Sequence, residues 1–194
     1  TIPQRRFTDA IIAELAFRAD DLGGAVSSLY FGGGTPSLWA LPELKRVVRA
    51  VQDHPGIATR AEVTIEANPN EVTRERLKAF KELGINRVSL GVQSFNDDLL
   101  PRIERRHDGA KAREACELIA DANVNSHSID LIFGLPGQSL SAWREDIEIA
   151  LRLDPPHLSV YGLTVEPRTV LNRQVSDGRV VLPDEAEQVE MMFM

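Results

Sequence analysis

Five short apolar segments recur along this chain, each running into a glycine or a polar residue, with amphipathic stretches between them. The first is Tyr30-Phe31-Gly32-Gly33-Gly34-Thr35-Pro36-Ser37, an apolar strand that runs straight into three glycines. It is followed by Val63-Thr64-Ile65-Glu66-Ala67-Asn68-Pro69 and Val88-Ser89-Leu90-Gly91-Val92-Gln93. Ile129-Asp130-Leu131-Ile132-Phe133-Gly134-Leu135-Pro136 and Leu158-Ser159-Val160-Tyr161-Gly162-Leu163-Thr164 complete the series. These predict strands over 27–32, 62–67, 86–92, 127–133 and 157–163.

The intervening segments read as helices. Residues 7–21, with Leu22, put Ile11, Ile12, Leu15, Ala16 and Ala19 on one face. Pro42 sits just inside a helix striped by Leu44, Val47, Val48 and Val51. Thr73 caps a helix carrying Leu77, Phe80 and Leu83, closed by Gly84. A short acidic helix is expected from Asn96 and a longer one near 109–122; Pro101 should shorten or kink the first and so aim Arg105 back toward the strand ends. Ser139 caps a helix bearing Trp143, Ile147 and Leu151, and a loop precedes a last helix from Asp184.

Strands alternating with helices must be parallel, because each helix supplies a crossover. Two architectures satisfy this: a doubly wound open sheet, and a parallel (β/α) barrel, whole or partial. In both, ligands bind at the carboxyl ends of the strands. A Rossmann dinucleotide site is disfavoured, since the glycines are consecutive and lead into Thr35-Pro36 instead of opening a helix as G-x-G-x-x-G. A P-loop fails because no Lys-Ser or Lys-Thr follows them.

Composition removes other classes. A net charge of −7 leaves no basic footprint for nucleic acid. No apolar run approaches the roughly 20 residues of a membrane helix. One cysteine, Cys116, precludes an internal disulfide and suits a reducing cytoplasm. The four histidines show no metal-ligand spacing. The chain opens within a helical approach and stops at Met194 in a helical pattern, so a single domain over 1–194, truncated at both ends, is expected.

The polar residues at the strand ends form a constellation. Glu66, Gln93 and Asp130 lie on three strands, and Arg105 follows Gln93 across the short helix. A carboxylate accepts from an ammonium or from paired ribose hydroxyls, and an arginine forks onto a carboxylate. Beside a bare glycine backbone, this set suits a zwitterion carrying a ribose. S-adenosylmethionine (SAM) fits better than a nucleotide di- or triphosphate, which would ask for more cations. The remaining signals read as structural. Asn68-Pro69-Asn70 is turn chemistry without a ligand role, Gly134-Leu135-Pro136-Gly137 a shaped turn, and Trp39 and Trp143 packing.

Three motifs carry a family resemblance: Tyr-Phe-Gly-Gly-Gly-Thr-Pro-Ser, Gly-Val-Gln-Ser-Phe-Asn and Ile-Asp-Leu-Ile-Phe-Gly-Leu-Pro-Gly-Gln. From about Phe7 to Met192 the chain resembles the SAM-binding half of radical-SAM enzymes, in the oxygen-independent coproporphyrinogen III oxidase group and its haem-chaperone branch. The resemblance implies a partial parallel barrel with strands in sequential order and helices outside. It implies that Gly33, Gly34 and Thr35 hold the methionyl amino group of SAM, that Arg105 meets its carboxylate, and that Gln93 and Asp130 meet its ribose. Glu66 would take the amino or ribose side, with Ile132 and Thr164 against the adenine.

The same resemblance implies three cysteines, spaced C-x-x-x-C-x-x-C, that ligate a [4Fe–4S] cluster at which SAM is reductively cleaved. They would precede the helix that begins this chain, and the chain does not contain them. Cys116 shares a helix face with Ala112, Ala115 and Ile119, the setting of a small buried hydrophobe. These residues alone are therefore expected to hold no cluster and to perform no radical chemistry. Two functions fit the resemblance, with haem or a porphyrinogen as partner of the full-length protein. One is haem binding and delivery. The other is oxidative decarboxylation of two propionates of coproporphyrinogen III. Ser37, Ser94 and Leu163-Thr164-Val165-Glu166-Pro167 look more like the chaperone branch. A distant alternative is an unrelated barrel enzyme using Glu66 and Asp130 as acid and base.

Overall fold

The computed structural model describes residues 3–194. Strands β1 (Val26–Phe31), β2 (Ile57–Ala67), β3 (Arg87–Gln93), β4 (Ser126–Phe133) and β5 (His157–Gly162) form one sheet in the order β1-β2-β3-β4-β5. Every neighbouring pair is parallel. Sequential order means that each crossover turned the same way, so the sheet curls into a half-barrel instead of reversing as a doubly wound sheet does. The helices are α1 (Gln4–Arg18), α2 (Leu41–Asp53), α3 (Arg74–Glu82), α4 (Gly109–Asp121), α5 (Leu140–Arg152), α6 (Val170–Ser176) and α7 (Glu185–Met192).

Alternation along the strands divides the sheet into two chemically different faces. Val63, Ile65, Ala67, Val88, Leu90, Val92, Ile129 and Leu131 point outward into a core with Leu44, Val47 and Val48 of α2, Leu77 and Phe80 of α3, Ala112, Ala115, Cys116 and Ile119 of α4, and Trp143 and Ala150 of α5. The opposite face carries Tyr30, Thr64, Glu66, Ser89, Ser128, Asp130, Ser159 and Tyr161. A concave face this polar cannot be a packed interior, so the core lies between sheet and helices and the hollow is left to a ligand.

The helix signals act as their chemistry dictates. The hydroxyls of Thr73 and Ser139 accept from the N–H groups of Arg76 and Ala142 at 3.2 and 3.1 Å. Asp184 and Glu187 form a reciprocal capping box on α7. Past α3, the N–H groups of Gly84 and Ile85 donate to the carbonyls of Lys81 and Phe80, as a glycine-terminated helix requires.

Five local expectations are corrected. β2 starts at Ile57, five residues earlier than the apolar run suggests, because Ile57 pairs with Val26. α1 does not lie over the sheet: it leans on α2, with Phe7 tilted against Trp39 at 5.7 Å, so Ile11, Ile12 and Leu15 are only partly covered and Ala16 and Leu22 stay exposed. In α5 the inward residues are Trp143, Asp146 and Ala150, while Leu151 is 64% exposed. No α-helix starts at Asn96. Its Oδ1 accepts from the Asp98 N–H in a local turn, and a 3-10 turn at Leu100–Ile103 follows with Pro101 near its start. Finally, the loop after β5 contains α6, capped by Thr169 and burying no residue, so it had no apolar stripe to reveal it.

Candidate functional site

The site lies at the carboxyl ends of the strands. Gly33 and Gly34 have φ of +81° and +69°, the left-handed region that glycine enters without steric cost, and they fold the chain back over β2. The Gly33 N–H donates to Glu66 Oε2 at 2.9 Å, and the Tyr30 hydroxyl donates to Glu66 Oε1 at 2.9 Å. Both Glu66 oxygens are thus engaged as acceptors, which fixes the orientation of the carboxylate.

Arg105 arrives by way of the 3-10 turn and a left-handed Glu104 (φ +59°), with its own N–H bonded to the Leu100 carbonyl at 3.0 Å. Its Nη1 donates to Asn68 Oδ1 at 2.9 Å, and Asn68 Nδ2 donates to Thr35 Oγ1 at 3.3 Å. Asn68 therefore ties the glycine loop to the arginine. Burial of the Arg105 guanidinium pushes its pKa down, the negative charge of Glu71 opposes that shift, and no carboxylate of the described residues forms a direct ion pair with it. A partly desolvated cation with no directly bonded carboxylate can receive an anion.

Gln93 ends β3 where the register against β4 slips between Gly91 and Gln93. It is buried and has φ +69°, a conformation that costs a non-glycine residue about 1–3 kcal/mol and has to be held by its surroundings. Across the hollow, Asp130 Oδ2 accepts from Ser89 Oγ at 2.7 Å, and Ser89 Oγ accepts from Ser128 Oγ at 3.0 Å. Burial pushes the Asp130 carboxyl above its usual range, and its buried Oδ1 has no hydrogen-bond partner. That oxygen is an acceptor awaiting a donor.

Gly34, Thr35, Glu66, Gln93, Arg105 and Asp130 line one cavity of about 270 Å³. Gly33 joins it through its bond to Glu66. Ile132 lies two residues beyond Asp130 on the same face of β4, opposite Tyr161, and does not line this cavity. Thr164 is exposed, two residues past β5, and does not line it either. Tyr30, Ala67, Asn68, Ser89, Gly91 and Tyr161 complete the lining without having been singled out from the sequence as site residues. Asn68 and Ser89 were findable: they stand in phase with Glu66 and Gly91, two residues away on the concave face. Reading Asn68 as turn chemistry alone missed that its side chain spans Thr35 and Arg105.

Cys116 sits on the far side of the sheet, buried in α4. Burial pushes its thiol up to about 12, so almost no thiolate exists at neutral pH. Alkylation by iodoacetamide at pH 8 should be negligible in the folded chain and rapid in concentrated urea; fast labelling of the folded chain would contradict this burial. Among the described residues no cluster of three or more His, Cys, Asp or Glu side chains gathers as a metal site would require. None of their helices is long and apolar enough to cross a membrane.

A parallel half-barrel with a charged hollow at the carboxyl ends of its strands defines a class of partial-barrel proteins whose ligands bind at that end. Residues 2–150 match the model of the radical SAM superfamily, and the chain belongs to that superfamily. It is similar to the heme chaperone HemW of Synechocystis sp. (38% identity over 177 residues, 91% of this chain and 43% of the relative). It is likewise similar to the heme chaperone HemW of Escherichia coli K12 (39% over 163 residues, 84% and 42%). Among solved structures, the radical SAM enzyme coproporphyrinogen III oxidase HemN of Escherichia coli superposes with a TM-score of 0.84 at 26% identity, covering 99% of this chain and 45% of that one. The chain thus spans less than half the length of these relatives.

Members of the superfamily bind SAM and a [4Fe–4S] cluster. The residues present fit the first: an unpaired guanidinium, an orphaned carboxylate oxygen and an exposed glycine backbone face one hollow. They do not fit the second, because the one cysteine is packed between α4 and the sheet.

Proposed function

We propose that this chain is the SAM-binding barrel of a haem chaperone of the HemW type, with residues 1–194 as one barrel domain. The observation that carries the SAM reading is a pair of groups lining one hollow: the Arg105 guanidinium with no directly bonded carboxylate, and Asp130 Oδ1 without a donor. In this reading Arg105 forks onto the methionyl carboxylate. Gly33, Gly34 and Thr35 present backbone and hydroxyl to the methionyl amino group. Gln93 and Asp130 take the ribose hydroxyls, Glu66 takes the amino or ribose side, and Ile132 and Thr164 lie on the adenine side. Burial strengthens each contact, since a hydrogen bond to a charged group contributes about 1.5–3 kcal/mol.

Support for haem as the partner comes from the relatives called heme chaperones at 38% and 39% identity. Ser37, Ser94 and the stretch Leu163–Pro167 point the same way. A lone buried cysteine suits the reducing cytoplasm, where we place the protein. The second reading, an oxygen-independent coproporphyrinogen III oxidase, draws on the structural likeness to HemN.

One experiment separates them. The full-length protein, reconstituted with iron and sulfide without oxygen, is titrated with haem and separately given coproporphyrinogen III, SAM and a reductant. Saturable haem binding, seen as a Soret shift, with no vinyl product is the expected result. Conversion of propionates to vinyl groups would establish the oxidase reading instead.

A further inference from the structure

Asp146 on α5 is the most deeply buried carboxylate among the described residues, 1% exposed, and no cation pairs with it. Its Oδ1 accepts from the Phe95 backbone N–H at 2.7 Å, and its Oδ2 accepts from the Ser94 hydroxyl at 2.8 Å and, longer, from Gln138 Nε2 at 3.5 Å. A buried charge held only by neutral donors is expensive, and burial pushes its carboxyl above the usual range. A helix that only needed to pack would bury an apolar residue there.

The donors are informative. Ser94 and Phe95 directly follow Gln93, the left-handed residue where β3 slips register. Ser94 Oγ accepts in turn from the Asn96 N–H at 3.0 Å, starting the local turns that lead to Arg105. The rest of this loop is held as firmly. A Cβ on Gly109 would collide with the Phe95 carbonyl oxygen, so the backbones of loop and α4 approach closely there. On the other side, Gln138 Oε1 accepts from the Leu135 N–H at 3.1 Å, which joins the loop after β4 to the same carboxylate.

We propose that Asp146 is a positioning residue for the cavity: it clamps Ser94 and Phe95 so that the strained Gln93 stays turned into the hollow, and it couples the loops after β3 and β4. The inference rests on the proposed SAM role of Gln93 only for its effect on binding. The clamp itself stands independently of that role.

Two measurements on the full-length protein test it, using Asp146→Asn and, as a milder variant, Ser94→Ala. The first is amide hydrogen exchange without ligand. Asp146→Asn should accelerate exchange at Phe95, whose N–H it accepts, and Ser94→Ala at Asn96, each by about tenfold or more, with the central amides of β2 and β4 unchanged. Unchanged exchange at Phe95 and Asn96, or equal acceleration throughout, overturns the clamp. The second is a double-mutant cycle on SAM affinity with Gln93→Ala. Asp146→Asn should weaken binding about tenfold with Gln93 present and less than about twofold with Ala at that position. Equal weakening in both backgrounds means a merely structural role and overturns the proposal. If exchange responds locally but Gln93→Ala leaves SAM affinity unchanged, the clamp holds and the ribose assignment of Gln93 fails.

Discussion

Replacing Arg105 with Ala should weaken SAM binding by about ten- to a hundredfold, the loss expected when a hydrogen-bonded charge contact worth about 1.5–3 kcal/mol disappears. The guanidinium is partly buried, forms no direct ion pair although Glu71 lies near enough to act on it, and is oriented by a 2.9 Å bond to Asn68 Oδ1. A lysine there should recover little of the loss, because a point charge cannot reproduce a planar fork on a carboxylate. Asn68→Ala should show a smaller defect in the same direction, since it frees the arginine without deleting it. Isothermal titration of the anaerobically reconstituted full-length protein reads all three. An Arg105→Ala variant that binds SAM as the parent does would remove this residue from the site. Folding should hardly change, because the side chain reaches the protein through one hydrogen bond at the rim of the hollow.

Trp143→Ala should produce the opposite pattern, a large loss of stability from a residue outside the site. Trp143 is 1% exposed, tilts against Phe133 at 5.7 Å, and donates from Nε1 to the Met191 carbonyl at 2.8 Å. That carbonyl lies in the last turn of α7, where the Met194 N–H reaches it only at 3.4 Å. The indole therefore both fills the core and closes the end of α7. Truncation should cost about 3–5 kcal/mol, a large share of the 5–15 kcal/mol that holds a typical domain together. Trp143→Phe keeps most of the apolar contact and removes the carbonyl's shortest hydrogen bond, so a smaller loss of about 1 kcal/mol is expected. Urea unfolding followed by circular dichroism checks both; a Trp143→Ala midpoint equal to the parent's would show that the site can collapse without loss.

The strands were legible because each is an apolar run too short for a helix, and parallel pairing followed from the helices between them. α2 was legible to the residue: Leu44, Val47, Val48 and Val51 are all buried. Where one periodicity had to serve two demands, the reading slipped. Leu151 continues the apolar spacing of α5 but points to solvent, because Asp146 turns inward to meet Ser94 and Phe95. α6 buries nothing and so left no stripe. At the site, residues with unusual chemistry stood out, while Asn68, Tyr30, Ser89 and Tyr161 did not. Their types are ordinary, and only their common direction into one hollow gives them meaning.

The amino-acid sequence by itself determined most of the elements, the parallel pairing of the strands and the kind of chemistry at the strand ends, because these depend on local periodicity and residue type. The tertiary structure decided what those residues can do together. Glu66 became a fixed acceptor only when Tyr30 and Gly33 closed on it. Arg105 was left without a direct ion pair because Asn68, not a carboxylate, was brought into hydrogen-bond reach of it. Asp130 kept one oxygen unmet because Ser89 occupied the other. Each outcome depends on which groups distant in sequence share a desolvated space, where an unmet donor or acceptor costs too much to be accidental.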